Sequence, residues 1–464
     1  MAVTLAQRSP GGPPRRPSAA ALIPTMEKFV IDGGFPLSGT VIPAGNKNAA
    51  LPLLAASVLT SEDVVLHNVP RIRDVAAMIE LLELLGVRVT WQGPNELTLN
   101  AGEVDDSGAV DRAVAERIRA SFLLAGPLLA RFGRAVMPPP GGDVIGRRRL
   151  DPHLDAFLAL GAQETPDPEA IVLSGTGPHG RLRAGEVFMD EPSVMATENA
   201  LMAAALTPGE SIIGNAACEP HVQDLARMLE SMGARIEGIG SNRMVVHGVG
   251  ELGGCEHRIG PDHIEIGSFM AIAGMTGGEL RIQDTEPENL RMIRLVFKKL
   301  GLHSELDGPD VLVPGDQKLV VERDLGDHIC KVQDGPWPQF PADLTSIAVA
   351  LATQSEGQVL VHEWMFESRL FFADKLVSMG ADIHISDPHR ALVMGPKRLR
   401  GSQVSSPDIR AGMAVLLAAL CAEGRTEIAN IRQIDRGYER IDERLRELGG
   451  RVQRIAGDAE AVAA

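Results

Sequence analysis

Residues 225–236 read LARMLESMGARI, an amphipathic helical run stopped by Gly233 and followed by a strand-like segment. Glycine just past such a run marks a helix end, because it accepts the left-handed conformation at the C-terminal cap. The pattern occurs six times: LLELLGVRV (81–89), LDAFLALGAQ (154–163), residues 225–236, VFKKLGLHS (296–304), ADKLVSMGADI (373–383) and LRELGGRV (445–452). Subtracting the positions of Gly86, Gly161, Gly233, Gly301, Gly380 and Gly449 gives intervals of 75, 72, 68, 79 and 69 residues. Upstream of each copy lies a second helical segment rich in Ala, Leu and Met, then a turn and another strand, as in residues 47–69, 118–140, 193–216, 264–285, 342–364 and 408–431. Segments apolar almost all round belong in a core. The unit therefore reads βαβαββ, with one buried and one amphipathic helix. An open solenoid needs polar end copies, whereas the end copies here are as apolar as the middle ones. Two closed α/β halves of three units each are expected, divided near Lys47 and Gly260, with the N-terminal strand joining the C-terminal half.

Composition narrows the function. Among 464 residues, 45 Lys and Arg stand against 61 Asp and Glu, a net charge of −16 that argues against nucleic acid as a partner. Aromatic residues are only 3%, which disfavours recognition by stacking. Cys218, Cys255, Cys330 and Cys421 are widely spaced, as in a reducing cytoplasm. No apolar run approaches the 18 or so residues that span a bilayer, so no membrane association is expected. Residues 1–25, rich in proline and arginine, read as a disordered tail, with Met26 an equal candidate for the start. Residues 456–464 read as a second tail.

The starts of the buried helices carry the chemistry. Asp262 and Ser193 are explained by simple capping. Lys47, Arg119 and Arg410 are not, because a cation in the first turn opposes the helix dipole. A bound anion reverses that penalty, and unpaired N–H groups suit phosphate; a structural ion pair is the alternative. A second set lies in loops before the amphipathic helices: residues 140–149, with Gly141, Gly142 and Asp143 before Arg147, Arg148 and Arg149; residues 366–369; and residues 434–440. These suit a loop closing over an anionic ligand, although Arg147 and Arg149 taken singly read as solvated surface. The histidines show neither H-E-x-x-H nor paired Cys/His spacing, so no metal is expected. Phosphate-loop and dinucleotide fingerprints are missing as well.

GNKNAALP (45–52), IRASFLLAGPLLARFG (118–133), PGGDVIGRRRLDPH (140–153), FPADL (340–344), FESR (366–369), DIRAG (408–412) and IDRGYERI (434–441) resemble, in order, the motifs of the enolpyruvyl transferases. The resemblance runs from Met26 to about Ile455. It implies two inside-out α/β barrel domains of three βαβαββ repeats each, 26–46 plus 261–455 and 47–260. It implies transfer of the enolpyruvyl group of phosphoenolpyruvate to an acceptor hydroxyl with release of phosphate, by addition and elimination, with no cofactor. The motifs are nearest the branch whose acceptor is UDP-N-acetylglucosamine, at its 3′-hydroxyl, in the first committed step of peptidoglycan synthesis in the cytoplasm. By the same resemblance Asp343 is the base, Asp143 the acid, and Lys47, Arg119, Arg369, Arg410 and Arg436 surround phosphoenolpyruvate, with Lys47 and Arg410 catalytic. Asn48 and Met365 contact substrate, Arg148, Arg149, Leu150, Asp151 and Pro152 hold the nucleotide, and Ser193 and Val194 hold its diphosphate.

Asp143 stands where many members carry a cysteine that fosfomycin alkylates; a carboxylate is a poorer nucleophile toward an epoxide, so insensitivity is expected. Glu191 replaces a lysine near the nucleotide phosphates, while Gln339, Ala342 and Ser368 replace a glycine, a threonine and an asparagine. A relative that uses shikimate 3-phosphate, and an inactive protein that only binds a UDP-sugar, are the competing readings.

Overall fold

A computed structural model describes residues 27–143 and 145–456. The tails expected at 1–25 and 456–464 lie outside these residues, apart from Ala456, which ends the last strand. Each of the six glycines has positive φ, from 81° at Gly161 to 115° at Gly233, as the repeat pattern requires. Each follows an outer helix, namely Arg73–Leu84, Asp151–Ala159, Pro220–Ser231, Arg291–Lys299, Ala373–Ser378 and Ile441–Glu447. The six inner helices are α1 (Lys47–Ala56), α2 (Ala125–Phe132), α3 (Val194–Ala205), α4 (His263–Thr276), α5 (Thr345–Ala352) and α6 (Ile409–Cys421). α4 is buried from His263 to Met275 and α6 from Ile409 to Leu420. α4, α5 and α6 pack against one another, and α2 packs on α3.

Five four-stranded sheets and one three-stranded sheet surround these helices. In the three-stranded sheet, Arg134–Met137, Ile171–Gly175 and Ala162–Thr165, the fourth position is reduced to a parallel bridge between Ala109 and Val136. Two sheets are completed by distant segments: Cys255–Arg258 runs parallel to Asp63–His67, and Gly39–Val41 runs parallel to Leu280–Ile282. Glu27–Asp32 lies between Arg425–Ala429 and Arg451–Ala456, antiparallel to both. These pairings close each half on itself and leave two hydrophobic cores. One takes buried residues from Ala49 to Ile259; the other joins Phe29–Val41 to Ile264–Val452.

Two inner helices start later than an uninterrupted helix from the motif would. Arg119–Leu124 and Ala342–Leu344 are tight 3₁₀ turns preceding α2 and α5. In α2, Pro127 falls in the first turn, where its missing N–H costs least. Asn199 of α3 secures this junction, accepting from Gly126 N at 2.9 Å and donating to Phe122 O at 3.0 Å.

The chain crosses between the halves twice, at 42–46 and 258–262, and the strands meet there through Asn46 N to Gly260 O (2.8 Å) and Asp262 N to Ala44 O (2.9 Å). Asn46 caps α1 through Asn48 N and Ala49 N. Asp262 caps α4 with one carboxylate oxygen and accepts from Lys47 N of α1 with the other, at 3.2 Å. One side chain thus fixes two helix N-termini, one from each half, side by side.

Candidate functional site

All six inner helices begin at one pocket. It encloses about 250 Å³ and is lined at each helix start: Lys47 and Asn48, Arg119 and Ala120, Val194 and Met195, His263 and Ile264, Ala342 and Asp343, and Asp408 to Arg410. The convergence of positive dipole ends favours anions, with Asn46, Asp262 and Asp408 already capping α1, α4 and α6.

Asp343 lies at the centre. Its Oδ1 accepts from Arg369 Nη2 at 3.2 Å and its Oδ2 from Arg410 Nε at 3.1 Å, with Asn48 Nδ2 at 3.5 Å. Burial pushes this carboxyl up, but Arg410, Arg369 and Lys47 outweigh it and hold the group far below the usual carboxylate range. Both guanidiniums are nearly inaccessible, at 6% and 5%, and Arg410 Nη1 has no protein hydrogen-bond partner.

Beside it, Asp74 receives Lys47 Nζ at 3.1 Å and Arg436 Nε at 2.8 Å. Arg436 also donates through Nη1 to Asp143 and to Gln433 Oε1. Lys47 and Asp74 come from one half and Arg436 from the other, so this chain of charges spans the cleft. Arg119 donates to the carbonyl oxygens of Arg148 (2.7 Å) and Arg149 (3.2 Å), and no carboxylate pairs with it among the described residues. Burial, with Arg148 next, pushes its guanidinium down to about 10. Arg148 is also lowered, by burial first. Six cations therefore gather around Asp74, Asp143 and Asp343, leaving positive charge for an anionic ligand. Among the described residues no group of three His, Cys, Asp or Glu side chains is arranged to hold a metal.

The pocket brings together Lys47, Asn48, Arg119, Asp143, Arg148, Val194, Asp343, Met365, Arg369, Arg410 and Arg436. Arg149, Leu150, Asp151, Pro152 and Ser193 do not line it. Arg149 turns outward to Asp190 at 2.6 Å and Asp151 at 3.3 Å, while Leu150 packs against the core and Pro152 sits in the first turn of an outer helix. Sequence reasoning did not single out Asp74, Glu198, Glu219, His221, His263 and Trp337, which also line the pocket. Asp74 reads as an ordinary acid in a first helical turn. A usable signal did exist for Glu198, a carboxylate in the middle of α3, most of whose residues are Ala, Met or Leu.

Two three-unit α/β halves that place six helix N-termini, six cations and a central carboxylate around one pocket define an enzyme that handles a small polyanion between its domains. The chain belongs to the EPSP synthase (3-phosphoshikimate 1-carboxyvinyltransferase) family, whose model matches residues 31–445. It is 52% identical over 428 residues to the UDP-N-acetylglucosamine 1-carboxyvinyltransferase of Bradyrhizobium diazoefficiens, covering 92% of this chain and 98% of that protein. It is 51% identical to the enzyme of the same name from Treponema denticola, covering 92% and 99%. Among solved structures, the enolpyruvyl transferase NikO from Streptomyces tendae superposes with a TM-score of 0.82 at 24% identity, covering 94% of this chain and all of that one. EPSP synthase from Acinetobacter baumannii gives 0.71 at 17% identity, covering 93% and 100%. These two likenesses concern the fold.

Proposed function

We propose that the protein transfers the enolpyruvyl group of phosphoenolpyruvate to the 3′-hydroxyl of UDP-N-acetylglucosamine, releasing phosphate, as the first committed step of peptidoglycan synthesis in the cytoplasm. The carrying observation is a carboxylate held between two buried guanidiniums, at the meeting point of six helix N-termini, in a chain half identical to enzymes bearing that activity in their names. No helix among the described residues is long and apolar enough to cross a membrane. The two hydrophobic cores support domains of 26–46 plus 261–455 and of 47–260.

In this reading Asp343 takes the proton of the acceptor hydroxyl as its oxygen attacks C2 of phosphoenolpyruvate. Asp143 delivers a proton to C3, forming the methyl group of a tetrahedral intermediate. Return of a proton from that methyl group to the carboxylate left on Asp143, with departure of phosphate, regenerates the double bond. Lys47, Arg119, Arg369, Arg410 and Arg436 neutralise phosphate and carboxylate, aimed in advance at the charge they stabilise. Arg148 and the start of α3 at Val194 meet the nucleotide; the neighbouring Ser193 and residues 149–152 reach it only after a shift of the segments that carry them.

The test is phosphate release from phosphoenolpyruvate with either UDP-N-acetylglucosamine or shikimate 3-phosphate, with Asp343→Ala as control. Release with the nucleotide sugar alone, abolished in the control, is the expected result. Release only with shikimate 3-phosphate, or none with either acceptor from folded protein, overturns the reading.

A further inference from the structure

One wall of the pocket has a different character. Glu198, in the middle of α3, is 1% exposed, and His221, in the outer helix Pro220–Ser231, is 6% exposed. Glu219 stands just before that helix, and all three line the same cavity as Asp343. Glu198 Oε1, Glu219 Oε2 and His221 Nδ1 are buried without a hydrogen-bond partner. The surroundings hold the groups in place but do not satisfy them. Glu219 Oε1 accepts from Trp337 N at 3.4 Å, the rings of His221 and His263 stack at 6.3 Å with 8° between planes, and His263 Nδ1 meets Asn46 Nδ2 at 3.1 Å.

Three unsatisfied polar atoms on one wall are costly, at about 1–3 kcal/mol each, unless something pairs with them. Their charge state narrows what that partner is. Burial, with Glu219 next, pushes the Glu198 carboxyl well up, and burial raises Glu219. Burial, with His263 next, drives His221 down to about 3. The wall thus sets two carboxyls that burial pushes toward their protonated, donor-and-acceptor form beside an imidazole that burial keeps neutral. The charges of Asp343 and Arg410 act on His221, so the wall adjoins the reacting centre.

We propose that Glu198, Glu219 and His221 form the subsite that receives the uncharged, hydroxyl- and amide-bearing ring of the acceptor sugar, and thereby select a neutral ring over a carboxylated one. This rests on the transfer reaction proposed above and names the groups that choose its acceptor. A polar wall built for hydrogen bonds rejects a ligand that leaves it unpaired more strongly than an apolar wall rejects a misfit. A ring carboxylate meets two buried acidic side chains there.

The experiment compares Glu198→Leu with Glu198→Gln, which keeps a neutral donor and acceptor. The expected result is a KM for UDP-N-acetylglucosamine raised about tenfold or more in the leucine variant and within about threefold of wild type in the glutamine variant, with KM for phosphoenolpyruvate unchanged in both. Wild-type KM in the leucine variant, or equal damage in both, overturns the proposal. A measurement on the unmodified protein guards against misfolded variants: UDP-N-acetylglucosamine should bind at least about tenfold more tightly than UDP, and equal affinity overturns the proposal. Failure of the wild type to turn over the nucleotide sugar refutes the transfer reaction itself, an outcome distinct from unaffected variants of an active enzyme.

Discussion

Asp74→Asn removes the one carboxylate that holds a cation from each half. Asp74 is 4% exposed, and the side chains of Lys47 and Arg436 are 12% and 16% exposed, so neither cation is well hydrated. Asparagine keeps the shape but leaves Lys47 without a carboxylate among the described residues and Arg436 with Asp143 and Gln433. Removing one partner of a buried pair costs about 3–5 kcal/mol, and the residual exposure places this case near 3. At roughly 2–4 °C per kcal/mol for a domain of this size, Tm should fall by about 6–12 °C. The pH dependence has a definite sign. Burial pushes the Asp74 carboxyl up, but Lys47 and Arg436 hold it below its ordinary 3.8. Its contribution is thus fully present above that value and is lost as pH falls through the lowered one, so wild type and variant should converge only in strong acid. Inorganic phosphate, returning negative charge to the same cations, should stabilise the variant more than the wild type. Scanning calorimetry across pH, with and without phosphate, measures all three effects. A Tm within about 2 °C of wild type, or equal stabilisation by phosphate, refutes the reasoning.

Asp343→Asn should lower kcat by about 10²–10⁴-fold while UDP-N-acetylglucosamine still binds in calorimetric titration. Phosphoenolpyruvate draws on the arginines that hold the Asp343 carboxyl down, so the acid limb of kcat should lie at higher pH than that of kcat/KM; coincident limbs would count against this coupling. Mass spectrometry after incubation with fosfomycin should find no adduct on the wild type and one adduct on Asp143→Cys, because an aspartate side chain is a far weaker nucleophile toward an epoxide than a thiolate. Gly141→Ala should reduce kcat by about tenfold or more with little change in Tm, since an added Cβ overlaps the Glu116 carbonyl and displaces the backbone next to Asp143.

What could be read from the chain depended on how local its cause was. A capping glycine acts within one turn, so all six helix ends are visible in the spacing of Gly86, Gly161, Gly233, Gly301, Gly380 and Gly449, while the expectation of two halves came from the apolar end copies. First-turn cations such as Lys47 and Arg410 violate a local rule and therefore stand out. The orientation of Arg149 is only partly local: Asp151 two positions on holds its Nε, but the shorter contact comes from Asp190, forty-one positions away. Asp74 is silent, because its role comes from Arg436, separated by 362 positions. Glu198 was legible in principle, since it is the one ionisable residue in a helix otherwise rich in Ala, Met and Leu.

Under the proposed reaction, the electrostatics of the site would let a group as acidic as Asp343 serve as a base. Pinned between Arg369 and Arg410, its carboxylate has almost no affinity for a proton, so the acceptor hydroxyl is not activated by it alone. Phosphoenolpyruvate brings a phosphate and a carboxylate that compete for the same guanidiniums. As they bind, the pull on Asp343 weakens and its proton affinity rises, at the moment when the carbon to be attacked is in place. Asp74 relates to Lys47 and Arg436 in the same way. It holds two mutually repelling cations together across the cleft until a ligand anion shares them. The carboxylates thus act as internal substitutes for the donor's charge, and the transfer centre gains its basicity only when the donor occupies it. Water held at the same place without phosphoenolpyruvate meets a weak base, which disfavours wasteful proton transfer.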